Sequence, residues 1–220
     1  LELLWCQIRN MAGEQQQLID DATAIGVTLT EQQAVRALRL LDELSSWNRT
    51  YSLTAITARD AMIRSHLLDS LSGYEELQGK RIADVGTGPG FPGLPLALVS
   101  AEREFTLIDS VAKKLRFVTH AARMLELSNV TTLQARVESL SPTQPYDTVL
   151  ARAFAALPDL LNAVQGLCGP ATRVVAFKGQ YPADELAELP RGWRLARSRA
   201  VHIPHLNAER HLLTLVRQAY

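Results

Sequence analysis

Cysteine is nearly absent: only Cys6 and Cys168 occur in 220 residues, far apart and in no metal-ligand spacing. No disulfide framework is implied, which fits a reducing cytoplasm, and no metal site is expected. A charge excess is also missing. The 23 basic and 23 acidic side chains cancel to a formal net charge of zero. Any nucleic-acid contact must therefore come from a local patch and not from a global field. No apolar run reaches the roughly 20 residues of a membrane span, and the N-terminus lacks the basic, apolar, small-residue order of a signal peptide. No membrane partner is expected. No internal repeat and no low-complexity segment is present. With 47% hydrophobic residues the chain is expected to be globular, and its length allows one α/β domain with an appendage.

The most informative stretch is Arg81–Gly93, R-I-A-D-V-G-T-G-P-G-F-P-G. Ile82, Ala83 and Val85 read as a buried strand. Gly86, Gly88, Gly90 and Gly93 then break the run, and Leu94–Val99 reads as a helix. Strand, glycine loop and helix open a nucleotide-binding α/β unit, in which the backbone turns tightly and approaches a ligand. Gly88-x-Gly90-x-x-Gly93 satisfies the dinucleotide pattern literally. A diphosphate needs free backbone N–H groups, however, and Pro89 and Pro92 have none. Asp84, just before the loop, would repel a phosphate and suit an ammonium. S-adenosyl-L-methionine carries an ammonium and a sulfonium and no phosphate. The loop therefore favours that cofactor over NAD.

Around this stretch the chain divides in two. Residues 1–72 are expected to form an N-terminal helical extension, with helices over Glu14–Ile25 and Glu31–Trp47. Thr30 and Gln33 form a capping box for the second helix. Val35, Leu38, Leu41 (or Leu40), Leu44 and Trp47 give it an apolar face. Asn48–Thr54 reads as a polar loop, and Thr57 as the cap of a third helix that carries Arg64, His66, Asp69 and Ser70. Residues 73–220 alternate strand and helix, with further strands at 105–108, 130–133, 146–150 and 174–177. Two last strands, around 195–203 and 212–216, lack an intervening helix and read as an antiparallel hairpin. The expectation is a mostly parallel seven-stranded sheet with helices on both faces.

Ligands of open α/β sheets sit beyond the carboxyl ends of the strands. The residues there are Asp84 with the glycine loop, Asp109, Arg136-Val137-Glu138, Arg152 and Lys178. Asp109 has the spacing of a ribose-binding acid, or it caps the next helix. Val137 and Glu138 are placed to border an adenine, although Glu138 by itself reads better as a solvated loop acid. Arg152 and Lys178 suit a phosphate or a purine edge, or else structural ion pairs. His66 and Asp69 share a helix face, either as a site-lining pair or as a packed one. Lys113, Lys114, Arg116 and Arg123, and Arg191, Arg194, Arg197 and Arg199, read either as solvated faces or, against a neutral total, as an RNA-backbone footprint. No Asn/Asp-Pro-Pro-aromatic motif follows the fourth strand, as adenine amino-group methyltransferases often have. No cysteine ends a strand, where cytosine C5 chemistry would need a nucleophile. Guanine N7, already nucleophilic, needs positioning and no general base.

The motifs together resemble the bacterial 16S rRNA (guanine-N7)-methyltransferases, the RsmG family, once called glucose-inhibited division protein B. The resemblance rests on W-N-x-x-Y-x-L-T at 47–54, R-S-H-L-L-D-S at 64–70, D-V-G-T-G-P-G-F-P-G at 84–93 and L-I-D-S-x-x-K-K at 107–114. R-V-E at 136–138, A-R-A at 151–153 and K-G-Q at 178–180 complete it. It runs from about Trp47 to the C-terminal strands, and the first dozen residues fit it poorly. It implies a Rossmann-like class I methyltransferase fold, S-adenosyl-L-methionine as donor, and one guanine in the decoding-region loop of 16S rRNA as acceptor. That RNA would be met in the small ribosomal subunit or its precursor, by a monomer. The cofactor residues so implied, with those read from the loop, are Asp84, Gly86, Thr87, Gly88, Gly90, Phe91, Asp109, Val137, Glu138 and Arg152. His66, Asp69, Arg152 and Lys178 would serve the reaction. The alternatives are an RNA-binding assembly factor with a structural nucleoside and, less favoured, a NAD-dependent oxidoreductase.

Overall fold

A computed structural model describes residues 2–218, with side-chain surroundings from residue 12 onward. The strands are β1 (Arg81–Val85), β2 (Glu104–Asp109), β3 (Val130–Gln134), β4 (Tyr146–Arg152), β5 (Cys168–Lys178), β6 (Trp193–Ala200) and β7 (His211–Arg217). They form one seven-stranded sheet in the order β3-β2-β1-β4-β5-β7-β6. β1 to β5 pair in parallel, and β7 runs antiparallel to both β5 and β6. The expected hairpin is there, with β6 ending at Ala200 and not running on to residue 203. The strand order reverses between β1 and β4, which opens a crevice at their carboxyl ends.

Alternation along each strand feeds two cores. Ile82, Leu107, Leu150, Val175 and Phe177 face one side and join a large cluster with the N-terminal helices. Ala83, Val85, Val149, Ala151, Val174 and Ala176 face the other. On the first side lie α1 (Glu2–Ala24), α2 (Glu31–Tyr51), α5 (Gly93–Val99) and α6 (Ala112–Met124); on the second lies α7 (Leu157–Ala163), with α8 (Ala183–Ala187) beside it. The period of two thus decides which helices each strand-end side chain can meet.

The helical extension departs from expectation in four places. α1 begins at Glu2 and not at Glu14. The α2 capping box is formed, but the buried stripe is Ala34, Ala37, Leu38, Leu41 and Leu44 with Leu40, while Val35 is 49% exposed. Residue 35 lies one position, about 100°, off the face that the leucines define. α2 also runs on to Tyr51. Asn48, expected in a loop, sits in its last turn, accepts from the Thr54 N–H (2.9 Å) and donates to the Thr54 carbonyl (3.0 Å). Thr57 caps nothing: α3 (Arg59–Met62) starts after Ala58, which makes no side-chain cap. α3 continues as a π-helical segment (Ile63–Leu68) and then α4 (Asp69–Leu71). His66, in the π segment, and Asp69, the first residue of α4, line the same cleft, but among the described residues they make no hydrogen bond to each other.

Candidate functional site

The site is built first from what the glycine loop does with its own hydrogen bonds. Thr87 N–H goes to the Ile108 carbonyl, and the N–H groups of Gly90 and Phe91 both go to the Thr87 carbonyl. Leu94 N–H goes to the Gly90 carbonyl. Gly88 N–H is donated to Asp109 Oδ2 (3.0 Å) and Gly93 N–H to Asp84 Oδ2 (2.8 Å). Pro89 and Pro92 have no donor. Every backbone donor from Thr87 to Leu94 is absent or already used inside the protein. A diphosphate would find nothing there to accept from, so the loop is not built for a dinucleotide.

Asp84 causes much of this. It shares the Ile82 face of β1, lies beneath the N-terminus of α5 and is fully buried. Oδ2 also accepts from Thr87 Oγ1 at 2.6 Å, while Oδ1 has no partner among the described residues. Burial pushes its carboxyl up to about 7, with partial relief from Thr87, Gly93 and Arg152. The sequence reading placed this carboxylate toward the ligand. In the structure it closes the loop from underneath and does not open to the cleft. Gly93 has no room for a side chain, since a Cβ there would stand 2.7 Å from Asp84 Oδ2 and 2.8 Å from Leu107 Cγ. Thr87 is buried as well.

Two clefts lie over the strand ends. The first, about 320 Å³, is lined by Gly86, Asp109, Lys114, Val137, Glu138 and Phe154 among others. Asp109 Oδ1 accepts from Val111 N–H (2.8 Å), and Oδ2 lies 3.8 Å from Lys114 Nζ. Asp109 therefore fixes the loop and the turn into α6 while still facing the cleft; ribose binding and the turn-forming role are compatible. Glu138 is exposed at the rim in a short 3₁₀ turn, Val137–Ser139.

The second cleft, about 440 Å³, is lined by His66, Asp69, Arg152, Phe177, Lys178 and Arg210, with Ile56 and Ser65. The two clefts share Ala153, which follows β4 with φ 51°. Arg152 and Lys178 reach the second cleft from opposite faces of the sheet, and each is paired. Arg152 Nη1 donates to Asp69 Oδ2 (3.0 Å) and to the Ser65 carbonyl (2.8 Å). Lys178 Nζ donates to Glu185 Oε2 (2.7 Å) and to the Ala155 carbonyl (3.1 Å). Asp69 takes a second arginine, Arg210, at 3.1 Å. Arg210 is 141 positions away in the chain, and nothing in the sequence pointed to it. Phe91, expected at the cofactor, lines neither cleft: it is buried under the His66 ring (centroids 4.7 Å apart, 20° between planes), with the Arg152 guanidinium 5.6 Å from its centre.

His66 contacts Thr54 Oγ1 through Nε2 (3.1 Å). Burial and the Arg152 charge push its pKa down to about 4. The two shifted groups act oppositely on stability. His66 titrates below its unfolded value, so its contribution is lost as pH falls from 6.5 toward 4. Asp84 titrates above its unfolded value, so its contribution is lost as pH rises from 3.8 toward 7. The expected result is an unfolding free energy nearly flat over that shared window. Asp84→Asn should turn it into one rising with pH, and His66→Gln into one falling. Urea titrations at several pH values measure all three, and parallel profiles would refute the assignment.

Cys168 begins β5, at the sheet end opposite the clefts, and burial pushes its thiol up to about 12. It is no nucleophile at neutral pH. Of the basic clusters, Arg197 and Arg199 are turned to the buried Glu76, at 3.4 and 3.2 Å. Arg199 is largely covered there, whereas the Arg197 side chain stays 51% exposed. Lys113 donates to the Tyr51 carbonyl (3.2 Å), and Arg116, Arg123, Arg191 and Arg194 are exposed.

The family model described as GidB, rRNA small subunit methyltransferase G, matches residues 33–213. The chain belongs to that family. A family member from Escherichia fergusonii, named ribosomal RNA small subunit methyltransferase G, is 42% identical over 198 residues, covering 90% of this chain and 94% of that one. One of the same name from Aeromonas salmonicida is 43% identical over 188 residues, covering 86% and 90%. Among solved structures, a magnesium protoporphyrin IX methyltransferase from Synechocystis with bound S-adenosylmethionine superposes with TM-score 0.59 at 18% identity, over 88% of this chain and 100% of that one. That likeness establishes the class I methyltransferase fold. Among the described residues, no helix is long and apolar enough to cross a membrane.

Proposed function

We propose that this member of the rRNA small subunit methyltransferase G family moves a methyl group from S-adenosyl-L-methionine to N7 of one guanine in the decoding-region loop of 16S rRNA. The observation that carries the reading is the pair of clefts meeting at Ala153, one of them floored by a glycine loop with no donor left for a phosphate. S-adenosyl-L-methionine supplies an electrophilic methyl on a sulfonium. Gly86, Asp109, Val137 and Glu138 hold the nucleoside part in the first cleft. Asp84, Thr87, Gly88 and Gly90 set the loop from beneath. Arg152, held by Asp69 and the Ser65 carbonyl, and Lys178, held by Glu185, frame the acceptor cleft. His66 forms part of its wall, with the buried Phe91 stacked behind it. His66 is neutral at physiological pH, so it adds no charge and needs no proton. Guanine N7 carries a free lone pair, and alignment alone suffices.

Residues 1–72 serve in this reading as a helical extension that walls the acceptor cleft, and 73–220 as the methyltransferase unit. The enzyme acts in the cytoplasm as a monomer, on the small subunit or its precursor. Calorimetry should show saturable binding of S-adenosyl-L-methionine and none of NAD; the reverse would refute the donor assignment. Nucleoside mass spectrometry of 16S rRNA from a deletion strain should show a lost 7-methylguanosine. An unchanged signal would leave only an RNA-binding assembly role.

A further inference from the structure

We infer that Arg210 receives the RNA phosphate next to the acceptor nucleotide, and that the groove on its far side receives the neighbouring nucleotide. The inference rests on the RNA-methylating reading above. Its first support is a charge imbalance. Lys178 and Arg152 each have a carboxylate, Glu185 and Asp69. Arg210 has only a share of that same Asp69. With His66 neutral, three cations face two carboxylates, and one positive charge is left for an anion.

The second support is the set of donors that remain. Arg210 uses Nε on Asp69 (3.1 Å) and Nη1 on the Glu209 carbonyl (2.7 Å), while Nη2 has no partner among the described residues. Its side chain is 25% exposed against 17% for Arg152. A guanidinium with a free edge at a cleft mouth fits a phosphate oxygen better than the saturated Lys178 does.

The third support is position. Arg210 lines the acceptor cleft and also a separate groove of about 720 Å³, bounded by Gln180, His202, Leu206 and His211. It stands on the ridge between them, where the backbone of a strand running from one to the other would cross. Tyr181, 48% exposed, packs edge-on against His211 at 5.7 Å and offers a face on which a base stacks. The acid of this groove, Glu209, lies 3.9 Å from His211. The partner is therefore a single strand of at least two nucleotides and not an isolated guanine.

The test is anisotropy of a fluorescein-labelled, guanine-containing single-stranded RNA against the full chain over a salt series. Each phosphate contact on a single strand contributes about 0.7 to the slope of log affinity against log salt. Arg210→Gln should lower that slope by about 0.7, and Arg210→Lys should keep it. Tyr181→Ala should weaken binding by roughly tenfold with the slope unchanged. S-adenosyl-L-methionine affinity should be the same in all three. An Arg210→Gln slope equal to the parent's, with only stability lowered, would reduce Arg210 to a tie between the entry to β7 and the start of α4 and overturn the proposal. A parent chain that binds the donor but no RNA at any salt would instead remove the RNA-methylating reading itself.

Discussion

Gly86→Ala should weaken S-adenosyl-L-methionine binding by roughly 30-fold, and Gly88→Ala should leave it little changed. Both glycines hold left-handed backbone, at φ 63° and 60°. Each substitution therefore carries a similar conformational cost of about 1–2 kcal/mol, visible as lower stability. What differs is the space in front. A Cβ at Gly86 would lie 2.7 Å from Phe154 Cδ2, whereas at Gly88 the nearest atom is 4.0 Å away. Phe154 forms a wall of the donor cleft. Pushing the ring aside reshapes the cavity that the donor fills, and overpacking of this kind costs about 1–3 kcal/mol. Calorimetric titration of both variants separates cleft shape from backbone strain. Equal losses in the two would show that strain alone decides, and would place the donor elsewhere.

Asp69→Ala should destabilise the protein by about 3 kcal/mol, among the largest effects available to a single substitution here. Asp69 is 6% exposed and holds Arg152 and Arg210 at once. Its removal leaves two guanidinium groups facing each other at the cleft with no carboxylate between them. Asp69→Asn keeps the shape and one acceptor, so it should recover part of the loss. Urea unfolding with an unchanged slope reads the difference directly. A loss under 1 kcal/mol in the alanine variant would mean that water already screens both arginines. Turnover should fall in both variants, because Arg152 is aimed by this carboxylate.

The two predictions draw on different levels of the molecule. The glycine pattern, the prolines within it and the strand–loop–helix order are local, and a reader of the chain can see them. Period-two alternation and the missing helix before the last strand likewise fix a mostly parallel sheet with an antiparallel end. The motif set at 47–54, 64–70, 84–93 and 107–114 identified the family before any coordinate. Helix ends were less legible. Thr57 looks like a cap, but the chain enters α3 at Ala58. Asn48 looks like a loop residue, but it folds the chain back from inside α2 through two bonds to Thr54.

Side-chain partners were decided only in three dimensions. Asp84 reads as a ligand-facing acid, yet its place on the Ile82 face of β1 buries it beneath α5, where loop N–H groups reach it. Arg152 and Lys178 read either as ligand-facing cations or as structural ion pairs, and only the fold shows that each meets the acid carried by the helix on its own face of the sheet. Arg210 was invisible because its partner lies 141 positions earlier. By itself, then, the sequence determined the sheet, the glycine loop and the family, since these follow from backbone chemistry and short-range pattern. Tertiary structure alone decided which charges remain unspent. A side chain's net charge depends on which neighbour the fold brings within about 3–4 Å, and spacing along the chain does not encode that distance.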